Sequence, residues 1–426
     1  MTATVAATGG TSDSAHGIDG LVEPGFEGVR EAFVRNFDDH GELGAGLALY
    51  VEGRKVVDVW GGTADWRRKT PYVEDTLQLV FSTTKGITAL CANLLAQRGE
   101  LDFDLPVAHY WPEFAAAGKQ DVSVRWLISH QAGLPYVEAD LTLDEVLAWG
   151  PVVDALAQQT PVWEPGTAHG YHALTYGWLV GEVIRRITGG TVGEFVADEL
   201  AGPLGLELWI GLPDEQQDRV APLSTRGPGM EDVDAAADGE GEAAGGALGS
   251  GKFDVRSLIE QFLGADSLLL LALDGVRGMF TQEGIFNRPE VRAAELPAAN
   301  AVTNARSLAK LYAATIGPVD GVGPLLTKDQ LTKACAVQTS GPDRVLMVDT
   351  QFGLGYMRSS SFSPYGGPAA FGHSGAGGSM AFADPEHGIG FGYVMNRMME
   401  NLAGDPRTRN LVQATYDAIG VAPAFV

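Results

Sequence analysis

The sequence has little cysteine and no long hydrophobic run. Its 426 residues include only two cysteines, Cys91 and Cys335, and these do not suggest a disulfide framework. The longest apolar run, 267–273, is far shorter than the roughly 20 residues that a helix needs to cross a bilayer. Both absences favour an ordinary globular protein, which agrees with a hydrophobic content of 45%.

Positive charge is also scarce. The chain carries 29 Lys and Arg against 54 Asp and Glu, a formal net charge of −25. Such a charge repels phosphate backbones and anionic lipid surfaces, so we expect neither a nucleic acid nor a membrane as partner. Residues 1–10 have no basic segment and no sustained apolar segment of the kind found in secretory signals. We therefore expect a cytoplasmic protein.

The apolar pattern predicts an α/β (α+β) protein in which an antiparallel sheet is flanked by helices. Strands are predicted at 46–51 and 55–60 around a Glu52-Gly53 turn, and again near 352–357, 378–383 and 388–394. Helices are predicted from Phe26 to Phe37, from 304 to 316 with Thr303 as the cap, and from 408 to 419.

The middle of the chain differs from both ends. Short helical patterns separated by Pro and Gly fill it, which predicts a mostly helical domain over 106–290, inserted into an α/β domain made of 23–105 and 291–426. Residues 1–22 are expected to form a disordered leader. Residues 230–251 are acidic and rich in Ala and Gly, so we expect a mobile loop there.

The candidate nucleophile is Ser82. An apolar stretch ends at this serine, and a helical pattern runs from it to Arg98-Gly99. Lys85 follows at i+3, a spacing that places the two side chains on one face of a helix. A lysine amine there can take the hydroxyl proton, and the helix N-terminus favours developing negative charge.

A Ser-x-x-Lys match alone is weak evidence. With 17 serines and 8 lysines in the chain, about 0.3 matches are expected by chance, and two occur. The second match, Ser307 with Lys310, lies inside the helix predicted at 304–316 and is interpreted as a structural pair. Ser82 differs because a strand precedes it and two further motifs follow.

Those two motifs are rich in turn-forming residues. The first is the loop 163–178, which contains Tyr171-His172-Ala173 and leads into a predicted helix. The second is 371–378, a stretch dense in glycine that contains His373-Ser374-Gly375. Glycines at such a site allow a backbone to approach a ligand closely.

Taken together, these motifs resemble the serine β-lactamase and penicillin-binding superfamily, with a further match at Leu127-Ile-Ser-His-Gln-Ala-Gly-Leu-Pro135. The class C β-lactamase-like branch, and within it the family VIII carboxylesterases, is the most similar. The resemblance covers about residues 25 to 420. It implies an α/β domain, a helical domain and an active site between them.

Two departures from the β-lactamase pattern point away from antibiotics. Ala173 stands where β-lactamases carry the Asn of Tyr-x-Asn, and His373 stands where they carry the Lys of Lys-Thr-Gly. The second change removes a permanent cation suited to a substrate carboxylate, because histidine is mostly neutral at pH 7. We expect a small-molecule ester as substrate, with a short acyl chain.

The expected mechanism is nucleophilic catalysis through an acyl-enzyme on Ser82. Lys85 and Tyr171 form the base as a coupled pair, and burial beside each other is expected to shift both pKa values toward 7. By resemblance, the backbone N–H groups of Ser82 and Ala376 form the oxyanion hole. The remaining candidates bind substrate: His373, Ser374, Gly375, Trp178 and Tyr136.

Other interpretations stay open at this point. A β-lactamase, a D-aminopeptidase-like amidase and an acyltransferase belong to the same superfamily, and a non-enzymatic relative is a further alternative. Ser374 is a rival nucleophile, because 372–376 resembles a loosened nucleophile elbow. No histidine spacing indicates a metal site, no cofactor is expected, and the sequence does not give the oligomeric state.

Overall fold

The computed structural model describes residues 15–225, 264, 267–276, 278–399 and 404–425. The predicted acidic loop 230–251 lies outside these residues, as do residues 1–14 of the predicted leader. The described residues form α-helices and β-strands. The α-helices, in chain order, are α1 Glu27–His40, α2 Thr84–Gln97, α3 Val107–Tyr110, α4 Val124–Ile128, α5 Leu143–Leu147, α6 Gly150–Gln158, α7 Thr175–Thr188, α8 Val192–Val196, α9 Gly202–Leu204, α10 Leu268–Asp274, α11 Pro289–Ala293, α12 Ala305–Ile316, α13 Lys328–Cys335 and α14 Pro406–Ala418.

The strands fall into two sheets. In chain order they are β1 Asp19–Val22, β2 Gly44–Val51, β3 Arg54–Asp65, β4 Thr70–Pro71, β5 Gln78–Leu79, β6 Leu208–Trp209, β7 Val302–Thr303, β8 Thr339–Pro342, β9 Asp349–Phe352, β10 Met357–Arg358, β11 Phe371–Ser374, β12 Met380–Asp384 and β13 Ile389–Met395. The large sheet has the order β1-β3-β2-β13-β12-β11-β10-β9-β8, and β4 pairs with β3. Its pairings are antiparallel, which confirms the predicted fold class.

The two ends of the chain meet in the middle of this sheet. Strand β2 pairs with β13, so that Leu47 lies opposite Tyr393 and Leu49 opposite Phe391. Alternate residues of β2 then face opposite sides. Leu47 and Leu49 join the core beneath α1 and α14, whereas Ala48 joins the core that contains α2, α7 and α12. The sheet thus lies between two layers of helices.

Helix α12 comes unusually close to the sheet because two glycines of β13 give it room. A Cβ on Gly390 would lie 2.5 Å from the Ala309 carbonyl oxygen, and one on Gly392 would lie 2.4 Å from that of Ala305. Any side chain there would displace helix backbone. These glycines therefore set the depth at which α12 packs, and Tyr312 of α12 in turn lies against Gly86 of α2, the helix that follows Ser82.

Several local predictions are confirmed. The Glu52-Gly53 turn joins β2 to β3 with positive φ angles of 49° and 74°, as a two-residue hairpin turn requires. The predicted helix at Phe26–Phe37 corresponds to α1.

Three local predictions are wrong. Residues 19–22 of the expected leader form β1, which pairs with Trp60 to Val57 of β3 and so buries part of that edge. The strand predicted at 352–357 is broken, because Gly355 adopts a φ of 87° and the chain turns between β9 and β10. The cap of α12 is Asn304, whose side chain accepts from the Ser307 N–H.

Residues 106–290, where described, are mostly helical, and they join the rest through a small sheet. Strand β6 from this region pairs with β7, which also pairs with β5 just before Ser82. The division into an α/β domain and an inserted helical domain stays a prediction. Among the described helices, none is long and apolar enough to cross a membrane.

Candidate active site

Ser82 lies in a 3₁₀ turn, Phe81–Thr83, between β5 and α2. Phe81, the residue before it, has a positive φ of 46°, a conformation that is rare for a bulky side chain. The Phe81 ring is held in an edge-to-face contact with Phe286 at 4.9 Å. The backbone therefore bends sharply at Phe81, and Ser82 is partly exposed although 80–81 and 83–95 are buried.

Lys85 is fully buried one turn further on. Its Nζ lies 3.1 Å from Ser82 Oγ, 2.6 Å from the Ala173 carbonyl oxygen and 3.0 Å from the Ala298 carbonyl oxygen. Burial lowers the pKa of the Lys85 amine well below its usual value. The predicted pairing of Ser82 with Lys85 is thus present in the geometry.

Tyr171, from the mostly helical region 106–290, lies beside Ser82 and Lys85. Its side chain hydrogen-bonds to that of Ser82, and its ring centre lies 4.8 Å from Lys85 Nζ. Burial raises the pKa of the phenol, and the hydrogen bond to Ser82 opposes this only in part. The expected shift of the Tyr171 pKa toward 7 is therefore wrong, because desolvation disfavours the phenolate.

The loop carrying Tyr171 is fixed by a buried carboxylate. Asp343 Oδ1 accepts hydrogen bonds from the backbone N–H groups of Tyr171, Val345 and Leu346 at 3.0, 2.9 and 2.8 Å. Asp343 follows β8, in the C-terminal part of the chain. A residue of the C-terminal part therefore fixes the position of Tyr171, which belongs to the middle part.

His373 lies on β11, fully buried, with its ring 6.0 Å from that of Tyr171. Its Nδ1 lies 2.8 Å from the Ser374 carbonyl oxygen and donates to it, which leaves Nε2 as an acceptor without a described partner. Burial, and then the nearby Lys85, lower the pKa of His373 to about 3. The imidazole is neutral at physiological pH.

Ser374 and Gly375 occupy different positions in the site. The Ser374 hydroxyl is buried and lies 3.3 Å from the Tyr365 hydroxyl. It ends a strand that is followed by a short turn and another strand, an arrangement unlike the strand-turn-helix of a nucleophile elbow. Gly375 packs on the backbone before Ser82, since a Cβ there would lie 2.3 Å from the Val80 carbonyl oxygen.

Ala376, like Ser82, is partly exposed. Within 370–384 it is the single partly exposed residue. Ser379 ties the two segments together, because its hydroxyl donates to the Val80 carbonyl oxygen at 2.8 Å and lies 3.2 Å from the hydroxyl of Thr83. The two adjoining segments, 80–95 and 370–384, are thus in contact, and Ser82 and Ala376 are partly exposed within them.

The other predicted residues have no described contact with Ser82, Lys85 or Tyr171. Trp178 is buried in the core that α7 shares with α2, and Tyr136 is half-buried with its carbonyl oxygen accepting from Gln159. Their role in binding substrate stays a prediction. The Ser307 hydroxyl accepts from the Glu207 N–H, and Lys310 pairs with Asp320, so this second match has structural partners.

Sequence reasoning missed the surroundings of Tyr171. His130 is fully buried with its ring centre 5.0 Å from that of Tyr171, and its Nε2 has no described partner. His130 Nδ1 accepts from the His172 N–H at 3.1 Å. Its φ of 64° is the signal that would have helped, but backbone angles are not read from sequence. No group of metal-ligating side chains occurs among the described residues.

The fold and this cluster of side chains define a serine hydrolase of the β-lactamase type. The chain belongs to the Beta-lactamase family, whose sequence profile matches residues 29–416. The esterase/beta-lactamase LipL of Mycobacterium tuberculosis is 34% identical over 400 residues, which cover 92% of this chain and 85% of LipL.

Two solved structures show the same fold at higher identity. One, described as a family VIII carboxylesterase, is 36% identical with a TM-score of 0.78 and covers 94% of this chain and 99% of its own. The other, a penicillin-binding protein homologue from Caulobacter crescentus, is 38% identical with a TM-score of 0.78 over 94% and 99%. The resemblance inferred from the motifs is confirmed.

Proposed function

We propose that the chain is a serine carboxylesterase that cleaves esters of short acyl chains through an acyl-enzyme on Ser82. The hydrogen bonds of Lys85 carry the proposal. A neutral amine has two N–H groups and one lone pair, and the Ala173 and Ala298 carbonyl oxygens accept the two N–H groups. The lone pair then points to the third neighbour, Ser82, and accepts the hydroxyl proton.

In the acylation step, Ser82 Oγ attacks the ester carbonyl carbon while its proton moves to Lys85 Nζ. The oxygen of the tetrahedral intermediate lies between the N–H groups of Ser82 and Ala376. The bond to the leaving oxygen then breaks. The proton passes from Lys85 through the Tyr171 hydroxyl to that oxygen, so the alcohol leaves neutral.

Deacylation repeats these movements with water. Water attacks the acyl carbon and gives its proton to Lys85, and the bond to Ser82 Oγ breaks as that oxygen regains a proton. Throughout, Tyr171 acts as a protonated donor and relay, because burial raises the pKa of its phenol. Lys85 is thus the base, and Tyr171 is its hydrogen-bonding partner.

The choice of an ester over a β-lactam rests on charge. A neutral, buried His373 offers no cation to a substrate carboxylate. One of the solved structures described above is a family VIII carboxylesterase, which supports the same choice.

The test measures p-nitrophenyl ester hydrolysis as the acyl chain is lengthened, with nitrocefin as the β-lactam. We expect faster cleavage of short acyl esters and little or no cleavage of nitrocefin, whereas a nitrocefin rate above the ester rates overturns the proposal. Labelling by a fluorophosphonate followed by mass spectrometry identifies the nucleophile. Ser82→Ala should abolish labelling and Ser374→Ala should retain it, and the reverse pattern would make Ser374 the nucleophile.

A further inference from the structure

A buried arginine holds the turn that contains Ala376. The Gly377 carbonyl oxygen accepts a hydrogen bond from Arg407 Nη2 at 2.5 Å and another from the Met399 N–H at 3.0 Å. Gly378 presses on the same guanidinium, because a Cβ there would lie 2.4 Å from Nη2. The turn 376–378 therefore rests directly on Arg407, which has no exposed surface.

The guanidinium of Arg407 has no freedom to move. Nη1 donates to both Glu42 carboxylate oxygens, at 3.0 and 2.9 Å, and to the Arg397 carbonyl oxygen at 2.9 Å. Nε and Nη2 donate to Asp405 at 3.1 and 2.7 Å. With Gly377 included, every N–H of the fork has an acceptor, so the planar group is fixed from three sides.

Burying these charged groups costs free energy, so the cluster is not explained by its contribution to fold stability alone. Glu42 and Asp405 are both buried, and burial raises the pKa of the Glu42 carboxyl even though Arg407 opposes the shift. Buried ion pairs often add little net stability compared with well-packed apolar side chains. What they do supply is fixed geometry, and one of the backbone segments held here, the turn 376–378, belongs to the candidate active site.

The turn is fixed at its other end as well. The Gly375 N–H donates to the Ser379 carbonyl oxygen at 2.7 Å, and Gly375 has no room for a side chain against Val80. Ala376 thus lies between two anchored neighbours, Gly375 and Gly377. Its N–H can keep one direction only while both anchors hold.

We propose that Arg407 is a positioning residue for the reaction, which aims the Ala376 N–H at the substrate oxyanion by holding the Gly377 carbonyl. Arg407 touches no reacting atom and acts through the turn. The inference rests on the proposed function, in which Ala376 supplies an oxyanion donor.

The test compares a short-acyl p-nitrophenyl ester with its thiono analogue, in which sulfur replaces the carbonyl oxygen. Sulfur accepts hydrogen bonds weakly, so the oxyanion hole assists the thiono ester less. Loss of one oxyanion donor costs on the order of 10²–10³ in kcat, and a misaimed donor should cost about 10–100-fold. Arg407→Lys should therefore lower kcat for the ester with little change in KM, and it should lower the ratio of ester to thiono-ester rates.

A second variant covers the case in which Arg407→Lys does not fold. Asp405→Asn keeps the helix cap and the Glu42 pair but loosens the guanidinium, and it should move the ratio in the same direction. Arg306→Lys is the control, because Arg306 pairs with Asp58 against the same sheet and should leave the ratio unchanged.

An unchanged ratio in a variant with a wild-type circular dichroism spectrum overturns the proposal. An equal fall in the ratio for Arg306→Lys also overturns it, because the effect would then be a general one. Failure of the proposed function gives a different result: Ser82→Ala would keep its esterase activity whatever Arg407→Lys does.

Discussion

The hydroxyl of Tyr312 lies directly against Gly86, where the side chain of any other residue would be. A Cβ on Gly86 would lie 2.0 Å from that oxygen and 3.2 Å from the ring carbon that carries it. Gly86 follows Lys85 in α2, and Tyr312 is buried in α12, with no described partner for its hydroxyl. A glycine inside a helix usually costs about 0.5–1 kcal/mol relative to alanine, and here it lets the two helices approach beside the active site.

Gly86→Ala should therefore destabilise the protein, although alanine is the better helix former. Overpacking of this kind costs about 1–3 kcal/mol, measured as a lower free energy of unfolding in urea. Adding Tyr312→Phe should recover part of the loss, because it removes the oxygen nearest the new methyl group.

Gly28→Ala is the matched control for this prediction. Gly28 lies in the first turn of α1 with no atom within 4 Å of an added Cβ, so alanine should be neutral or stabilising there. A Gly86→Ala protein as stable as wild type would contradict the steric argument.

Sequence reasoning located elements and motifs wherever the information is local. The Ser82–Lys85 contact follows from i+3 spacing at a helix start, and the β2–β3 turn follows from Glu52-Gly53. Tyr171 was different. Its distance from Ser82 depends on how the middle of the chain packs, and only the family resemblance brought it into the site.

Long-range polar networks could not be predicted. Glu42 and Arg407 are separated by 365 positions in the chain, and neither belongs to a pattern that indicates a partner. The pKa of Tyr171 was predicted in the wrong direction for a related reason. Pairing with lysine suggested a lowered value, but complete burial dominates once the packing is known.

The hydroxyl of Tyr171 should matter far more than that of Tyr176. Both rings are buried near Lys85 Nζ, at 4.8 and 5.9 Å, but the described contacts give only the Tyr171 hydroxyl a partner, Ser82. Tyr171→Phe should lower kcat/KM for a p-nitrophenyl ester by about 10²–10⁴-fold, the range for loss of a proton-transfer group. Tyr176→Phe should change it by less than about threefold, since no described hydrogen bond is lost. Equal losses in the two variants would assign the effect to packing.

Replacing His373 with lysine should not create a β-lactamase. His373 is fully buried near Lys85, so His373→Lys introduces a second buried amine without a carboxylate partner. We expect a lower melting temperature and no gain in nitrocefin hydrolysis. His373→Gln, which is neutral and similar in size, should keep more of both stability and esterase activity. Rapid nitrocefin turnover by His373→Lys would show that the charge alone selects the substrate.

Activity should depend on pH through Lys85. Burial lowers the pKa of this amine, so kcat/KM should rise with pH through that lowered value and level off above it. His373→Gln should leave this rise of kcat/KM with pH unchanged, because the pKa of His373 is already about 3. Lys85→Arg should remove most of the activity, because a guanidinium stays protonated across the accessible pH range.

The same pKa shift predicts how stability depends on pH. In the unfolded chain Lys85 titrates near 10.4, so between its lowered folded pKa and about 10.4 the unfolded state binds more protons than the folded state. The free energy of unfolding contributed by Lys85 must therefore rise with pH across this window. Below the folded pKa both states are protonated, and the full cost of burying the charge applies. Lys85→Met abolishes this dependence. In urea unfolding measured at several pH values, the free energy of unfolding of the wild type should therefore rise relative to that of Lys85→Met as the pH increases. A constant difference between the two proteins would mean that Lys85 titrates alike in both states and that burial does not make it a base.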